Sequence, residues 1–207
     1  MTAAVLAAAV ISSAVGAEPV RRFTVELSIL AGDAQALVHS ERSSIHRQGL
    51  EARIKSSLST LRWLARNYLA ARNVRSPSLL EQVAVLRRAF AAADYRQLAR
   101  QAAALARQYP LDTDGLRPDQ ARPADVRSGR RLYQRLCMGC HEHPDPTRPN
   151  PARDLFRMAK RLPEREFIAR LVGGIRGTPA VGLHNPLSDA EIAGLAAYLK
   201  HGAPNRQ

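Results

Sequence analysis

Between Val20 and Tyr109 apolar side chains return every three or four residues, the period that lines up one face of an α-helix. Phe23, Leu27, Leu30, Ala34 and Leu37 form one such stripe, and Leu50, Ile54, Leu58, Leu61, Ala65 and Tyr68 form a second. A third passes through Leu79, Val83, Leu86 and Phe90, and a fourth through Leu98, Ala102, Leu105 and Tyr109. Punctuation falls between them. Gly49 is expected to close the first helix and Asn73 the second, Pro77 sits in the first turn of the third with Ser78 and Glu81 as a capping box, and Asp94 caps the fourth. Connections this short force neighbours antiparallel, so residues 18–109 are predicted to form an up-and-down four-helix bundle. The rhythm stops where Pro110, Asp112, Asp114, Gly115, Pro118 and Pro123 break any helix, and residues 110–123 read as an extended, partly stiff linker. Shorter helical pieces resume over residues 124–207, so the fold class is all-α throughout.

Composition adds a bias of charge. The 207 residues are enough for one or two domains, and a hydrophobic content of 45% supports ordinary cores. Lys and Arg number 31 against 18 Asp and Glu, a formal net charge of +13, and only Lys55, Lys160 and Lys200 are lysines. Such a surface suits an acidic protein partner or anionic membrane headgroups. Nucleic acid fits poorly, because the basic residues are spread along the chain with few aromatics among them. Residues 1–17 hold no charge and end in Val15-Gly16-Ala17, which reads as a signal peptide cut near Ala17, although no basic residue precedes the apolar run. That run is shorter than the roughly 20 residues a membrane span needs.

One short stretch names a chemistry. Cys137-Met138-Gly139-Cys140-His141 has the two thiols and the following imidazole of a covalent c-type haem attachment site. Zinc wants about four nitrogen or sulfur ligands, and a redox dithiol opens a helix after a strand. Neither context is present: the chain has two cysteines, both in the motif, and a helical pattern from Asp125 to Leu136 precedes it. The motif assigns Cys137 and Cys140 as covalent anchors for one haem c, and His141 as the proximal iron ligand.

Residues 124–207 resemble a small class I cytochrome c domain, on several matches in order. Asp125 is placed to cap a helix carrying Val126, Gly129, Leu132 and Leu136 that runs into the motif; Pro149 and Pro151 follow it; Pro163 opens a helix with Phe167, Leu171 and Val172. Gly177-Thr178-Pro179-Ala180 is similar to the family's Gly-Met-Pro-Ala loop, and Ser188 with Glu191 makes a capping box for a last helix presenting Ile192, Leu195, Tyr198 and Leu199. The resemblance implies that the carbonyl of Pro149 or Pro151 accepts the His141 N–H, that Gly129 meets Tyr198 where the first and last helices cross, and that the function is electron transfer. Covalent haem attachment in such proteins takes place outside the bacterial cytoplasm, so a periplasmic location, with or without membrane association, is expected.

The sixth iron ligand is where the chain departs from the family. Thr178 stands in place of the methionine, and a hydroxyl is a poor match for ferrous iron. His184, later in the same loop, is one substitute, Met158 a weaker one, and an open position the third reading. An open iron would make the protein a small-ligand or gas sensor instead of an electron carrier. His39 and His46 are placed on one face of the first helix and cannot sandwich one iron; His143 and His201 are expected to be solvated. Arg127, Arg130, Arg131, Arg135, Arg157, Lys160, Arg161, Arg165 and Arg170 flank the motif and together make a basic rim for an acidic redox partner. No catalytic constellation stands out, so the chain is read as a carrier or an oxidoreductase subunit, not itself an enzyme, with its oligomeric state open.

Overall fold

The computed structural model describes residues 3–40, 44–174 and 185–202, with side chains from residue 17 onward. No strand occurs among the described residues, and the chain is all-helical. It divides into two compact units, Met1–His39 with Glu51–Leu111, and Ser40–Leu50 with Asp112–Gln207.

The first unit holds α1 (Ala3–Val38), α2 (Ile45–Ala71) from Glu51 onward, α3 (Pro77–Ala91) and α4 (Tyr95–Gln108). The break between α1 and α2 does not fall at Gly49, which lies inside α2. α1 ends at Val38 and α2 begins at Ile45, where the Ser44 hydroxyl accepts the Arg47 N–H at 3.1 Å and caps α2. His39 therefore lies in the turn after α1 and His46 in the first turn of α2, on two elements instead of one helix face. At the far end of α2, Asn73 adopts φ 50°, and the N–H groups of Asn73 and Val74 bond back to Ala70 and Leu69 at 3.1 and 3.0 Å. That is the left-handed closure Asn supports well. The cap of α3 is Ser76, whose hydroxyl accepts from Leu79 N at 3.3 Å, with Pro77 as the first helical residue; Glu81 pairs with Arg88 instead of closing a box with Ser78. Asp94 caps α4 as expected, accepting from Gln97 N at 2.9 Å.

Ring and ion-pair contacts fix the helix directions. Phe23, near the middle of α1, meets Tyr68 at 5.0 Å, and Asp33, nearer its C-terminal end, meets Arg53, so α1 and α2 run antiparallel. Tyr95 donates to Glu51 at 3.1 Å while Tyr109 meets Tyr68 at 5.5 Å, so α2 and α4 run parallel. α3 and α4 form a hairpin closed by Gln82 and Gln108. The stripes underestimate one element. Phe23 through Leu30 are all buried, including Thr24, Glu26 and Ser28, so α1 is enclosed on every side over that stretch. The hydroxyls of Thr24 and Ser28 are satisfied by the α1 backbone, at 3.1 Å to Val20 O and 2.9 Å to Thr24 O.

The second unit contains α5 (Pro123–Leu132), α6 (Met138–His141), α7 (Leu155–Arg161), α8 (Glu164–Gly173) and α9 (Asp189–His201). The proline-rich strap that leads into it carries buried apolar side chains. Leu111 and Leu116 are each 2% exposed, and Pro118–Gln120 forms a 3-10 turn that packs against α9. Glu164 ties this strap to the last helix, forming an ion pair with Arg117 at 3.4 Å and accepting Lys200 at 2.7 Å. Asp125 acts from within the first turn of α5, where its carboxylate accepts the Arg122 N–H at 3.1 Å and the Arg122 guanidinium at 2.8 Å. α5 crosses α9 glycine on glycine: a Cβ on Gly129 would lie in the Gly194 carbonyl, and one on Gly194 in the Asp125 carbonyl. The partner of Gly129 is thus Gly194, while Tyr198, one turn further along α9, packs among aromatic rings. The Ser188/Glu191 capping box opens α9 as expected.

Candidate haem centre

Helix α5 continues through one widened π-helical turn, Tyr133–Cys137, in which Met138 N bonds to Tyr133 O, and then into α6. The extra residue in that turn re-aims the side chains that follow it, a device common at functional sites. Tyr133 is buried, Cys137 and Met138 are half-buried against the same apolar cluster, and Gly139 and Cys140 are exposed. The cluster is built from Tyr133, Leu155, Phe156, Phe167, Leu195 and Leu199, with Leu162, Leu171 and Leu187 partly buried against it. It is an apolar body whose flank beside the motif is incompletely covered.

Three rings stiffen it. Tyr133 meets Phe156 at 5.1 Å and Tyr198 at 5.7 Å, and Phe156 meets Tyr198 at 5.5 Å, all tilted or edge-on as aromatic quadrupoles prefer. The Tyr133 hydroxyl donates to Glu142 Oε1 at 2.9 Å, which pins the residue immediately after His141. Burial, followed by that carboxylate, raises the Tyr133 pKa well above the usual phenol range. Burial also pushes the Cys137 thiol up to about 11, with the neighbouring Cys140 adding to the effect. A redox dithiol works through its thiolate and needs the opposite shift, so the burial of Cys137 is unlike that of a reactive dithiol.

His141 is held by its backbone surroundings. Its Nδ1 lies 2.5 Å from the carbonyl oxygen of Arg153. A carbonyl only accepts, so Nδ1 bears the proton and the lone pair is on Nε2, the tautomer of a ligating histidine oriented from behind. The resemblance pointed to Pro149 or Pro151 for this carbonyl. Instead the chain reaches it two residues past Pro151, just before Asp154 caps α7 by accepting Arg157 N at 3.0 Å. The Pro149 carbonyl is engaged elsewhere, against Gly49, where a Cβ would collide with it, and Asn150 Nδ2 donates to Gly49 O at 3.0 Å. Any residue type offers a carbonyl, so no side-chain signal could have singled out Arg153.

Met158 lies on α7, partly buried against the apolar cluster, where its thioether packs. Thr178 and His184 lie outside the described residues. Asn185, which follows His184, is tied to the end of α8, donating to Leu171 O at 2.6 Å and Val172 O at 3.3 Å. Of the basic rim, Arg127, Arg130, Arg131, Arg135, Arg157, Lys160, Arg161 and Arg165 are exposed, whereas Arg170 is half-buried and paired with Glu166 at 2.7 Å. Among the described residues no three His, Cys, Asp or Glu side chains converge as a bare metal site requires. The donor set suits a porphyrin iron: two cysteines, one oriented imidazole and an apolar flank.

A family model described as cytochrome c oxidase, cbb3-type, subunit III matches residues 124–199. The C-terminal part of the chain is a class I c-type cytochrome domain. Family membership of this domain implies haem c as cofactor and haem-based electron transfer as function. Comparison with curated proteins and with solved structures yields no match. The matched segment opens at residue 124, within the first turn of α5, and closes at Leu199 in α9, so it brackets the Gly129–Gly194 crossing.

Proposed function

We propose that the protein is an exported monohaem c-type cytochrome that carries single electrons between redox partners. Cys137 and Cys140 anchor the haem covalently and His141 Nε2 ligates its iron. Haem supplies reversible uptake and release of one electron at iron. The observation that carries this reading is the His141 Nδ1 to Arg153 O hydrogen bond, which sets the imidazole in its ligating tautomer one residue after the second thiol. The rest of the domain serves that arrangement: Glu142 and Tyr133 hold the turn after His141, and the aromatic cluster excludes water from one side of the motif. A count of one haem follows from the single pair of cysteines.

His184 is proposed as the sixth ligand, supported by its imidazole chemistry and by the tether of Asn185 to α8. Export is supported by Pro19. In a chain cut near Ala17 this residue falls in the first helical turn, where its missing N–H costs nothing, whereas inside the uncut α1 it removes a helix hydrogen bond. The first unit is proposed to be an up-and-down four-helix bundle, consistent with the directions of α1, α2 and α4. The exposed arginines around the motif suit an acidic face on a partner that oxidises quinol or another substrate, or on a terminal acceptor. No described helix is long and apolar enough to cross a membrane.

The test is the intact mass and reduced-minus-oxidised spectrum of protein made in a host that matures c-type cytochromes. One haem per chain that survives denaturation, is lost when Cys137→Ala and Cys140→Ala are combined, and titrates reversibly as a low-spin centre is expected. The mass of bare polypeptide from that host would overturn the reading. In His184→Ala a shift to high spin is expected, and an unchanged spectrum would remove His184 as ligand.

A further inference from the structure

From Glu51 to Glu81 the chain holds no carboxylate between its ends, yet it holds Arg53, Lys55, Arg62, Arg66, Arg72 and Arg75. Arg53 is committed to Asp33. The other five are exposed, and no ion pair among the described residues draws them in. The only tryptophan of the chain, Trp63, stands among them 57% exposed, and Val74 in the turn after α2 is 53% exposed. Ser59, Trp63, Arg66 and Ala70 recur at helical spacing on one outward face of α2, with Lys55 and Arg62 beside it. Of its neighbours on that face Ser59 and Ala70 are small and Arg66 carries a charge, and more than half of the indole is left exposed.

We propose that this face of α2 is a peripheral docking surface for an anionic phospholipid headgroup layer. Charge complementarity selects the occupant: Lys55, Arg62 and Arg66, with no carboxylate between them along the chain, attract a negatively charged leaflet. The central tryptophan then separates lipid from the other polyanions. An indole is apolar with one N–H donor and settles at the level of headgroups. Guanidinium groups flanking it reach phosphates, and their alkyl stems follow the indole to the boundary. A nucleic acid would ask for several stacking rings along the basic track, and here there is one. The surface lies wholly in the first unit and does not depend on the haem reading.

Full-length holoprotein is mixed with vesicles of phosphatidylcholine alone or of phosphatidylcholine with phosphatidylglycerol, and co-sedimentation is measured together with the emission maximum of the sole tryptophan. Binding to the phosphatidylglycerol vesicles only, with a blue shift and reversal by high salt, is expected. The double variant Arg62→Gln, Arg66→Gln is expected to weaken partitioning by about thirtyfold, and Trp63→Ala to weaken it with the circular dichroism unchanged. Equal binding to both vesicle types, or none to either, overturns the proposal. So does a blue shift that tracks protein concentration without lipid, which would assign the face to a second copy. Retention by duplex DNA with no vesicle binding would assign it to nucleic acid instead.

Discussion

Three aromatic rings meet in each unit, and the two trios have nearly the same spacing. In the first, Phe23, Tyr68 and Tyr109 lie 5.0, 5.8 and 5.5 Å apart. In the second, Tyr133, Phe156 and Tyr198 lie 5.1, 5.7 and 5.5 Å apart. The first trio joins α1, α2 and the end of α4 and serves packing. The second differs in one polar handle, the Tyr133 hydroxyl on Glu142, which ties packing to the residue beside His141. Equivalent apolar geometry thus becomes part of a site only when a hydrogen bond connects it to a chemistry-bearing residue.

The sharpest way to separate the units is to break the helix crossing of the second. Gly129→Val is expected to cost at least about 3 kcal/mol, because the new side chain meets backbone that cannot yield. Retained haem and thermal unfolding should both fall, while the helicity of α1–α4 persists; a variant with unchanged haem retention would deny the close approach. The converse change is Leu86→Ala, at a fully buried position of the first unit. A loss of about 2–5 kcal/mol is expected by denaturant titration with the haem spectrum unaltered. A spectral change would show that the units are less independent than their cores suggest.

Legibility followed the same division. The four stripes of the first unit were readable because helical periodicity is a property of side chains alone, and they located α3 and α4 closely. The α1–α2 boundary was misplaced because Gly49 looked like a stop. Its real constraint is close approach to the Pro149 carbonyl, about a hundred residues away along the chain, which no local signal encodes. In the second unit the motif was readable from two thiols and an imidazole, whereas Arg153 was not, since its contribution is a backbone oxygen. The burial of the strap's apolar residues was illegible for a related reason: prolines argue against helix but say nothing about burial, and Leu111 and Leu116 are buried.

Smaller effects refine the comparison at helix ends. Ala93 adopts φ 55° in the tight connection from α3 to α4, a left-handed conformation that a Cβ disfavours. Ala93→Gly is expected to stabilise the first unit by about 0.5–1 kcal/mol, read as a raised unfolding midpoint, with a fall arguing against the left-handed turn. The matching end in the second unit is the α9 capping box, where the Ser188 backbone N–H and then its hydroxyl hold the Glu191 carboxyl below its ordinary value of 4.5. A depressed folded pKa means that the contribution is present above that value and fades as the pH falls through and below it. Glu191→Gln should therefore remove a small part of the acid sensitivity of unfolding and leave the neutral-pH spectrum as it was. Identical acid profiles for the two proteins would show that the box does not titrate with folding.

The pairing of Asp33 with Arg53 has a consequence for how α1 finds its place beside α2. Several alignments of two long greasy stripes would bury comparable area, and sliding by one turn would cost such stripes little. Asp33 is almost wholly enclosed, so every alignment but one strands a carboxylate in an oily medium without its counter-ion. The pair acts as a key that selects a single register.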